Sequence, residues 1–98
     1  MNVDRGLLVT LEAKPGKGDE LAAFLVRSLP MAVAETGTVS WHAFRLSDTT
    51  YGIFDTFADE EGRQAHLDGL IAQALVEVGP DLLARRPDVQ RPVIIAAK

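Results

Sequence analysis

Two apolar segments, residues 38–46 and 51–57, are separated by only four polar residues, SDTT. Both segments are rich in the β-branched and aromatic residues that favour strands, and a connection this short joins antiparallel neighbours. The pair therefore predicts a β-hairpin in the middle of the chain. No other feature constrains the fold as strongly, because the remaining segments must pack around a sheet that contains this hairpin.

The segments before the hairpin read as a strand and then a helix. Residues 6–14 form an apolar run that ends at the turn signal Pro15-Gly16. In the segment that follows, apolar residues recur at helical spacing. We expect Pro30 to kink or break this helix and Gly37 to cap its C-terminus.

The segments after the hairpin read as a helical region and a last strand. The helical region begins at the acidic residues 59–61, and we expect interruptions at Gly69 and at residues 79–80. The last segment, residues 89–97, carries the β-branched run 93–95 after Pro92 and predicts the final strand. The order predicts a single α+β domain over residues 1–98, a ferredoxin-like βαββαβ fold with a four-stranded antiparallel sheet and both helices on one face.

The predicted strands are apolar on both faces, whereas a sheet covered on one side normally alternates apolar with polar residues. The chain holds no further segment that would cover the second face. We therefore expect a homodimer in which two sheets pack face to face.

Composition excludes several classes of function. Cysteine is absent and the chain has two histidines, so disulfides, thiolate chemistry and a three-histidine metal site within one chain are excluded. A net charge of −4 disfavours a nucleic-acid surface. No stretch approaches the about 20 apolar residues of a membrane helix, and the N-terminus does not read as a signal peptide. We expect a cytoplasmic protein without a metal or other cofactor.

Most of the chain resembles the antibiotic biosynthesis monooxygenase domain. The resemblance rests on four segments, GLLVTLEAKPGKGDELAAFL, VSWHAFRLSDTTYGIFDTF, FADEEGRQAHLDG and VIIAAK. Its most recognisable element is an aromatic strand end, an acidic helix start and a His-Leu pair, here Phe57, Asp59, Glu60, His66 and Leu67.

The resemblance implies a dimeric α+β barrel with pockets between sheet and helices. Members of the family oxygenate polycyclic aromatic or quinol substrates with O2 and use neither metal nor flavin, and a related branch degrades haem. The haem branch uses an Asn on the first strand and a Trp at the end of the third. This chain has no Asn in its first strand and closes its third strand with Phe57, which disfavours haem degradation.

Three residues are candidates for proton transfer. If the SDTT loop is symmetric, His42 faces Asp55 across the hairpin, and the carboxylate would raise the basicity of the imidazole. A cross-strand hydrogen bond without a catalytic role is the alternative. His66 matches the family's His-Leu position, which implies a catalytic role; without that resemblance it reads as a structural histidine beside apolar residues.

The candidate substrate-binding residues are mainly aromatic. Trp41 would stack on a flat ligand or pack in the core, and Arg45 would hold an enolate or carboxylate or form a salt bridge at the rim. Phe24, Phe54 and Phe57 read first as core and second as pocket walls. The sequence thus predicts a cofactor-independent monooxygenase for an aromatic or quinol-type molecule, or alternatively a non-catalytic dimer that binds a small molecule or serves a stress response.

Overall fold

The computed structural model of the protein describes residues 3–98. The elements in chain order are β1 (Arg5–Glu12), α1 (Gly18–Ala34), β2 (Thr38–Arg45), β3 (Thr50–Phe57), α2 (Glu60–Leu67), α3 (Leu70–Leu82) and β4 (Asp88–Gln90). The strands form one antiparallel sheet in the order β2-β3-β1-β4. This is the ferredoxin-like α+β fold, so the predicted fold class is confirmed.

The core lies between the helices and one face of the sheet. Alternate residues of the central strands are buried on that face, as a period of two requires, and α1 packs its own apolar stripe on them. The buried side chains include Leu7, Leu11, Leu21, Phe24, Ile53 and Phe57. Burying each such side chain contributes about 1.5 to 3 kcal/mol, and this burial fixes which face of the sheet the helices cover.

The turn between β1 and α1 follows from its sequence. Lys17 N–H donates to the Lys14 carbonyl oxygen at 2.9 Å, and Gly16 has a φ of 78°. Pro15 supplies the fixed φ of the second turn position and Gly16 the positive φ of the third, as in a type II turn. The turn signal read from Pro15-Gly16 is therefore correct.

Two of the expected helix interruptions are absent. The structure has Pro30 inside α1, which continues to Ala34, and Pro80 inside α3, which continues to Leu82. A proline removes one backbone hydrogen bond, and here the buried residues on either side keep both helices continuous. The interruption expected at Gly69 is confirmed, because α2 ends before it and α3 begins after it.

The last strand covers only the start of the predicted segment. We predicted it within residues 89–97, with the β-branched run 93–95 after Pro92, whereas β4 pairs with β1 over Asp88–Gln90. Pro92 has no N–H to donate to the sheet, and beyond it only Val93 forms a single bridge, to Arg5. Ile95 is 97% exposed, so the apolar end of the chain has no cover within the described residues.

Gly37 has a different role from the cap we predicted. The C-cap of α1 is Glu35, with extended backbone angles, and Gly37 has no positive φ. Instead Gly37 lies against α2, where a Cβ on it would be 2.7 Å from the Gly62 Cα. The two backbones approach this closely only because neither residue carries a side chain. This contact sets the position of α2 against the start of β2.

The second face of the sheet is open. Leu8, Phe44 and Phe54 lie on it half buried, among polar residues such as Ser40 and Thr56, which share a hydrogen bond. Nothing in residues 3–98 covers this face, so the homodimer stays a prediction. No helix in the described part of the chain is both long and apolar enough to span a bilayer.

The glycine contact predicts opposite outcomes for two helical glycines. Gly62→Ala places a Cβ 2.8 Å from the Gly37 carbonyl oxygen, and such overpacking costs about 1 to 3 kcal/mol of unfolding free energy. Gly79→Ala meets nothing closer than 3.9 Å, so it is expected to stabilise helix α3 by about 0.5 to 1 kcal/mol. Thermal unfolding of both variants checks this. A melting temperature for Gly62→Ala at or above that of Gly79→Ala would contradict the role of the contact.

Candidate active site

The register of the hairpin decides which predicted site residues meet. Trp41 pairs with Asp55, and His42 pairs with Phe54. The predicted pairing of His42 with Asp55 is therefore wrong by one residue. Leu46 N–H donates to the Thr50 carbonyl oxygen at 2.8 Å, which leaves a turn of three residues instead of the symmetric SDTT loop. A shift of one residue turns every side chain of β2 to the opposite face.

The two residues of the predicted pair consequently lie on opposite faces of the sheet. Asp55 points to the helix-covered face and is 0% exposed. His42 is exposed on the open face. The structure gives Asp55 another histidine as its partner.

A cluster of two carboxylates and one imidazole occupies the core beneath α2. His66 Nε2 lies 2.9 Å from Asp55 Oδ2, and His66 Nδ1 lies 2.6 Å from Glu35 Oε1. We call these three residues the carboxylate–histidine cluster. The Thr38 hydroxyl donates to Glu35 Oε1 at 2.7 Å. Neither oxygen of Asp55 has a hydrogen bond of good geometry among the described residues, so its 2.9 Å contact with His66 is foremost an ion pair.

Local contacts hold α2, and with it His66, in place. The Asp59 side chain caps the helix by accepting from Gly62 N–H at 2.8 Å. The buried Arg63 donates from Nη1 to the Gly6 carbonyl oxygen of β1 at 3.2 Å. The ring of Phe57 packs against the imidazole with centroids 5.3 Å apart. The imidazole is therefore fixed by the helix cap, the strand contact and the aromatic ring together.

The cluster binds a proton tightly. Burial alone lowers the pKa of His66, but the hydrogen bonds and charges of Asp55 and Glu35 outweigh burial and raise it to about 9. Burial raises the pKa of Asp55, against the hydrogen bond and charge of His66, which lower it. His66 is thus an imidazolium at neutral pH, held between its two neighbours.

A cavity of about 600 Å³ opens between the sheet and helices α2 and α3, and we call it the central cavity. Its wall is mostly apolar, including Leu7, Ile53, Leu67, Ile71, Leu75 and Val89. Among residues 3–98, His66 is the only Asp, Glu, His or Tyr in the wall, and Arg85 and Arg86 are its basic residues. The imidazolium is therefore the group best placed for proton chemistry in this cavity.

The remaining predicted site residues lie elsewhere. Trp41 and Arg45 line a separate cavity of about 520 Å³ between α1 and β2, which we call the lateral cavity. Phe24 is a buried core residue, Phe57 is buried beside His66, and Phe54 lies on the open face. The residues predicted to form one pocket are thus divided between two cavities, the core and the open face.

Glu35 was missed by the sequence reasoning. It lies 31 positions before its partner His66, so no local spacing connects the two. One sequence signal for Glu35 was available. An acidic residue directly after a helix lies beside the negative end of the helix dipole, which is unfavourable, so another interaction has to stabilise it there.

No group of three or more histidines and carboxylates among residues 3–98 is arranged to hold a metal ion. In the carboxylate–histidine cluster the two carboxylates contact different ring nitrogens, so their oxygens do not converge on one point.

No protein-family profile and no curated protein matches the chain. The crystal structure of NE2512, a protein of unknown function from Nitrosomonas europaea, superposes with a TM-score of 0.96 at 48% identity. The match covers 98% of this chain and 93% of NE2512. The chain belongs to the same family as NE2512.

More distant structures have the same fold. A Chloroflexus aurantiacus protein superposes with a TM-score of 0.75 at 23% identity, with 96% of this chain and 95% of that chain covered. A Caulobacter crescentus protein superposes with a TM-score of 0.81 at 15% identity, with 96% and 92% covered. Both have been proposed to be antibiotic biosynthesis monooxygenases. The predicted resemblance is therefore confirmed at the level of the fold.

The cluster predicts a histidine that titrates above neutral pH. We expect both ring nitrogens of His66 to carry protons at pH 7, with a midpoint near 9. Because this pKa exceeds the unfolded value of 6.5, the stabilisation is complete below pH 6.5 and declines as the pH rises through 9. Nitrogen-15 NMR of the imidazole rings measures the midpoint, and thermal unfolding over the same pH range measures the stability.

Two variants assign this titration to His66 and to its carboxylate partners. His42→Gln assigns the ring signals, because it leaves His66 as the only histidine. Glu35→Gln removes one negative charge and is expected to lower the His66 midpoint. A midpoint at the ordinary histidine value in the unmodified protein would show that the two carboxylates do not act on the imidazole as described.

Proposed function

We propose that the protein oxygenates an aromatic or quinol-type small molecule with O2, without a metal or flavin, and that the substrate binds in the central cavity. One observation carries the proposal: the imidazolium of His66 lies in the wall of an apolar cavity of about 600 Å³. The shared fold with proteins proposed to be monooxygenases supports it.

The central cavity suits a flat, mostly apolar molecule. Its volume falls within the range of about 300 to 1,000 Å³ that small-molecule sites occupy. Arg85 lines it with a side chain that is 73% exposed, so positive charge lies where the cavity meets solvent. Arg85 also contacts Glu12 at 3.6 Å, whereas Arg86 beside it forms no salt bridge within residues 3–98, so the opening favours a substrate that becomes an anion.

An electron-rich anion can react with O2 directly. The phenolate or enolate of such a substrate gives one electron to O2, and the resulting radical pair combines to form a carbon–oxygen bond. The protein needs to favour the anion and exclude water. The imidazolium of His66 is the cationic member of the cluster that lines the cavity, and the carboxylates of Asp55 and Glu35 offset part of its attraction for an anion.

The overall reaction balances without another reductant. A substrate methylene or equivalent RH2 combines with O2 to give the carbonyl R=O and one water. Loss of the first proton to solvent gives the anion, which combines with O2 to form a peroxide on carbon, and the peroxide takes up one proton. Loss of the second proton from that carbon to solvent forms the C=O bond and breaks the O–O bond, and the released hydroxide takes up a proton to give water. The substrate supplies all four electrons.

Protons reach the site through the carboxylate–histidine cluster. Both ring nitrogens face carboxylates and the imidazole is charged, so His66 acts as a proton donor and a positive charge. The general base that the sequence suggested was His42 beside Asp55, and these two residues do not meet. The Glu35 side chain is 20% exposed, whereas that of Asp55 is fully buried. Glu35 is therefore the exchange point with solvent.

The alternative is a non-catalytic dimer that binds a small molecule. The same two contacts of His66 favour it, because an imidazolium held on both sides already fulfils a structural role by compensating buried Asp55. The alternative predicts ligand binding in the central cavity without consumption of O2.

O2 uptake separates these functions. We expect the unmodified protein to consume O2 with hydroquinones or hydroxylated polycyclic phenols in a buffer that contains chelator and no flavin. His66→Gln is expected to lower the rate about 100-fold or more, the usual loss for a proton-transfer group. His42→Gln is the matched control, since it removes the exposed histidine and is expected to keep the rate within about twofold of the original.

The outcomes are distinct. Uptake that disappears in His66→Gln but persists in His42→Gln supports the oxygenase. No uptake above the uncatalysed rate with any substrate removes the oxygenase and leaves the binding protein. Circular dichroism of the His66→Gln protein confirms that a lost rate does not reflect lost folding.

We also propose that the open sheet face pairs two copies of the chain. Leu8, Phe44 and Phe54 would be buried there, which would complete the α+β barrel. Light scattering after size exclusion is expected to show a dimer, and Phe54→Asp is expected to give a monomer because it places a charge in the interface. Val33→Glu is the control, since Val33 is 77% exposed on α1. A monomeric unmodified protein would remove this proposal.

A further inference from the structure

The lateral cavity is formed because α1 does not fully cover β2. Ala43 on the helix-facing side of this edge strand remains exposed, as do Val26 and Leu29 of α1. Together with Ala22 and Leu25 they give the cavity its apolar part, and its volume is about 520 Å³. The central cavity and the lateral cavity have no lining residue in common.

Two buried polar atoms of residues that line the lateral cavity have no partner. The Tyr51 hydroxyl and the Trp41 indole Nε1 form no hydrogen bond with any described residue. Tyr51 is only 2% exposed, so its hydroxyl is not satisfied by open solvent. Buried polar groups are almost always hydrogen-bonded, so these two donors, each covered by neighbouring atoms on residues that line the cavity, lack partners that a ligand reaching past the lining side chains would supply.

Arg45 adds a positive charge beside these two atoms. It lies opposite Tyr51 in the sheet register, and the interaction with the Tyr51 hydroxyl raises the pKa of its guanidinium, although no hydrogen bond of good geometry joins them. Asp19 and Asp48 act on it electrostatically, but it forms no salt bridge within residues 3–98. The guanidinium is therefore available to a ligand.

We infer that the lateral cavity is a second ligand site, which binds a monocarboxylate with an apolar body between α1 and β2. Indole N–H and guanidinium groups only donate hydrogen bonds, and a phenol donates one. A carboxylate accepts several such bonds and pairs with arginine in a bidentate geometry. The apolar body would contact Leu25, Val26 and Leu29. This site is independent of the oxygenation proposed for the central cavity.

Trp41 is the only tryptophan in the chain, so its indole N–H signal in a proton–nitrogen correlation spectrum reports on this cavity alone. We expect octanoate to shift that signal in a saturable manner. Octanamide, which has the same chain length and no charge, is expected to bind at least about tenfold more weakly. The oligomeric state is measured in the same samples.

Variants locate the site. Arg45→Met and Tyr51→Phe are each expected to weaken octanoate binding, with about a tenfold loss for Arg45→Met. Arg86→Met, in the wall of the central cavity, is the matched control and is expected to leave octanoate binding unchanged. Tyr51→Phe keeps the ring and its packing, so a folded protein is expected.

Three results would overturn the proposal. If octanoate causes no saturable shift of the Trp41 signal, the cavity binds no carboxylate. The same result is expected if a second copy of the chain fills the cavity, and it equally overturns the proposal. Equal binding of octanamide would remove the role of Arg45. A loss caused by Arg86→Met instead of Arg45→Met would place the ligand in the central cavity.

Discussion

The structure depends on how one buried carboxylate is compensated. Asp55 lies in the middle of β3, on the face that carries the apolar core, and is fully buried. A lone buried carboxylate costs several kcal/mol, and breaking a buried ion pair typically costs about 3 to 5 kcal/mol. His66 therefore has to lie at that position, and the cap of α2, the Arg63 contact and the glycine contact all serve to hold it there. Glu35 contacts the other ring nitrogen of His66 at 2.6 Å and further favours its charged form.

The same compensation gives the central cavity its chemical character. A histidine beside apolar residues would normally be neutral, because burial disfavours the imidazolium. Here the two carboxylates reverse that preference and keep a positive charge at the wall of an apolar cavity. A single feature thus serves stability and chemistry, since the group that neutralises Asp55 also favours an anion in the cavity. The structural and catalytic explanations of His66 are therefore compatible.

The sequence predicted what depends on local pattern. Apolar periodicity and turn residues placed β1, α1, the hairpin and the interruption at Gly69, and their order was enough for the fold class. It did not predict features that depend on distant contacts. Glu35 and His66 are linked only through the tertiary structure, Gly37 was explained by Gly62 rather than by a cap, and Pro30 and Pro80 were tolerated because neighbouring turns are packed. His66 was found through a family resemblance, whereas its charge state follows from partners that no local motif contains.

The hairpin turn shows how much function depends on one residue of register. A four-residue loop would have turned His42 toward Asp55 and placed Trp41 and Arg45 on the open face. The three-residue turn closed by Leu46 and Thr50 does the reverse. Asp55 is left to His66, which creates the charged wall of the central cavity, and the donors Trp41 and Arg45 are turned toward α1, which creates the lateral cavity. Both cavities therefore follow from the length of one turn. An insertion that lengthened this turn is expected to alter both together.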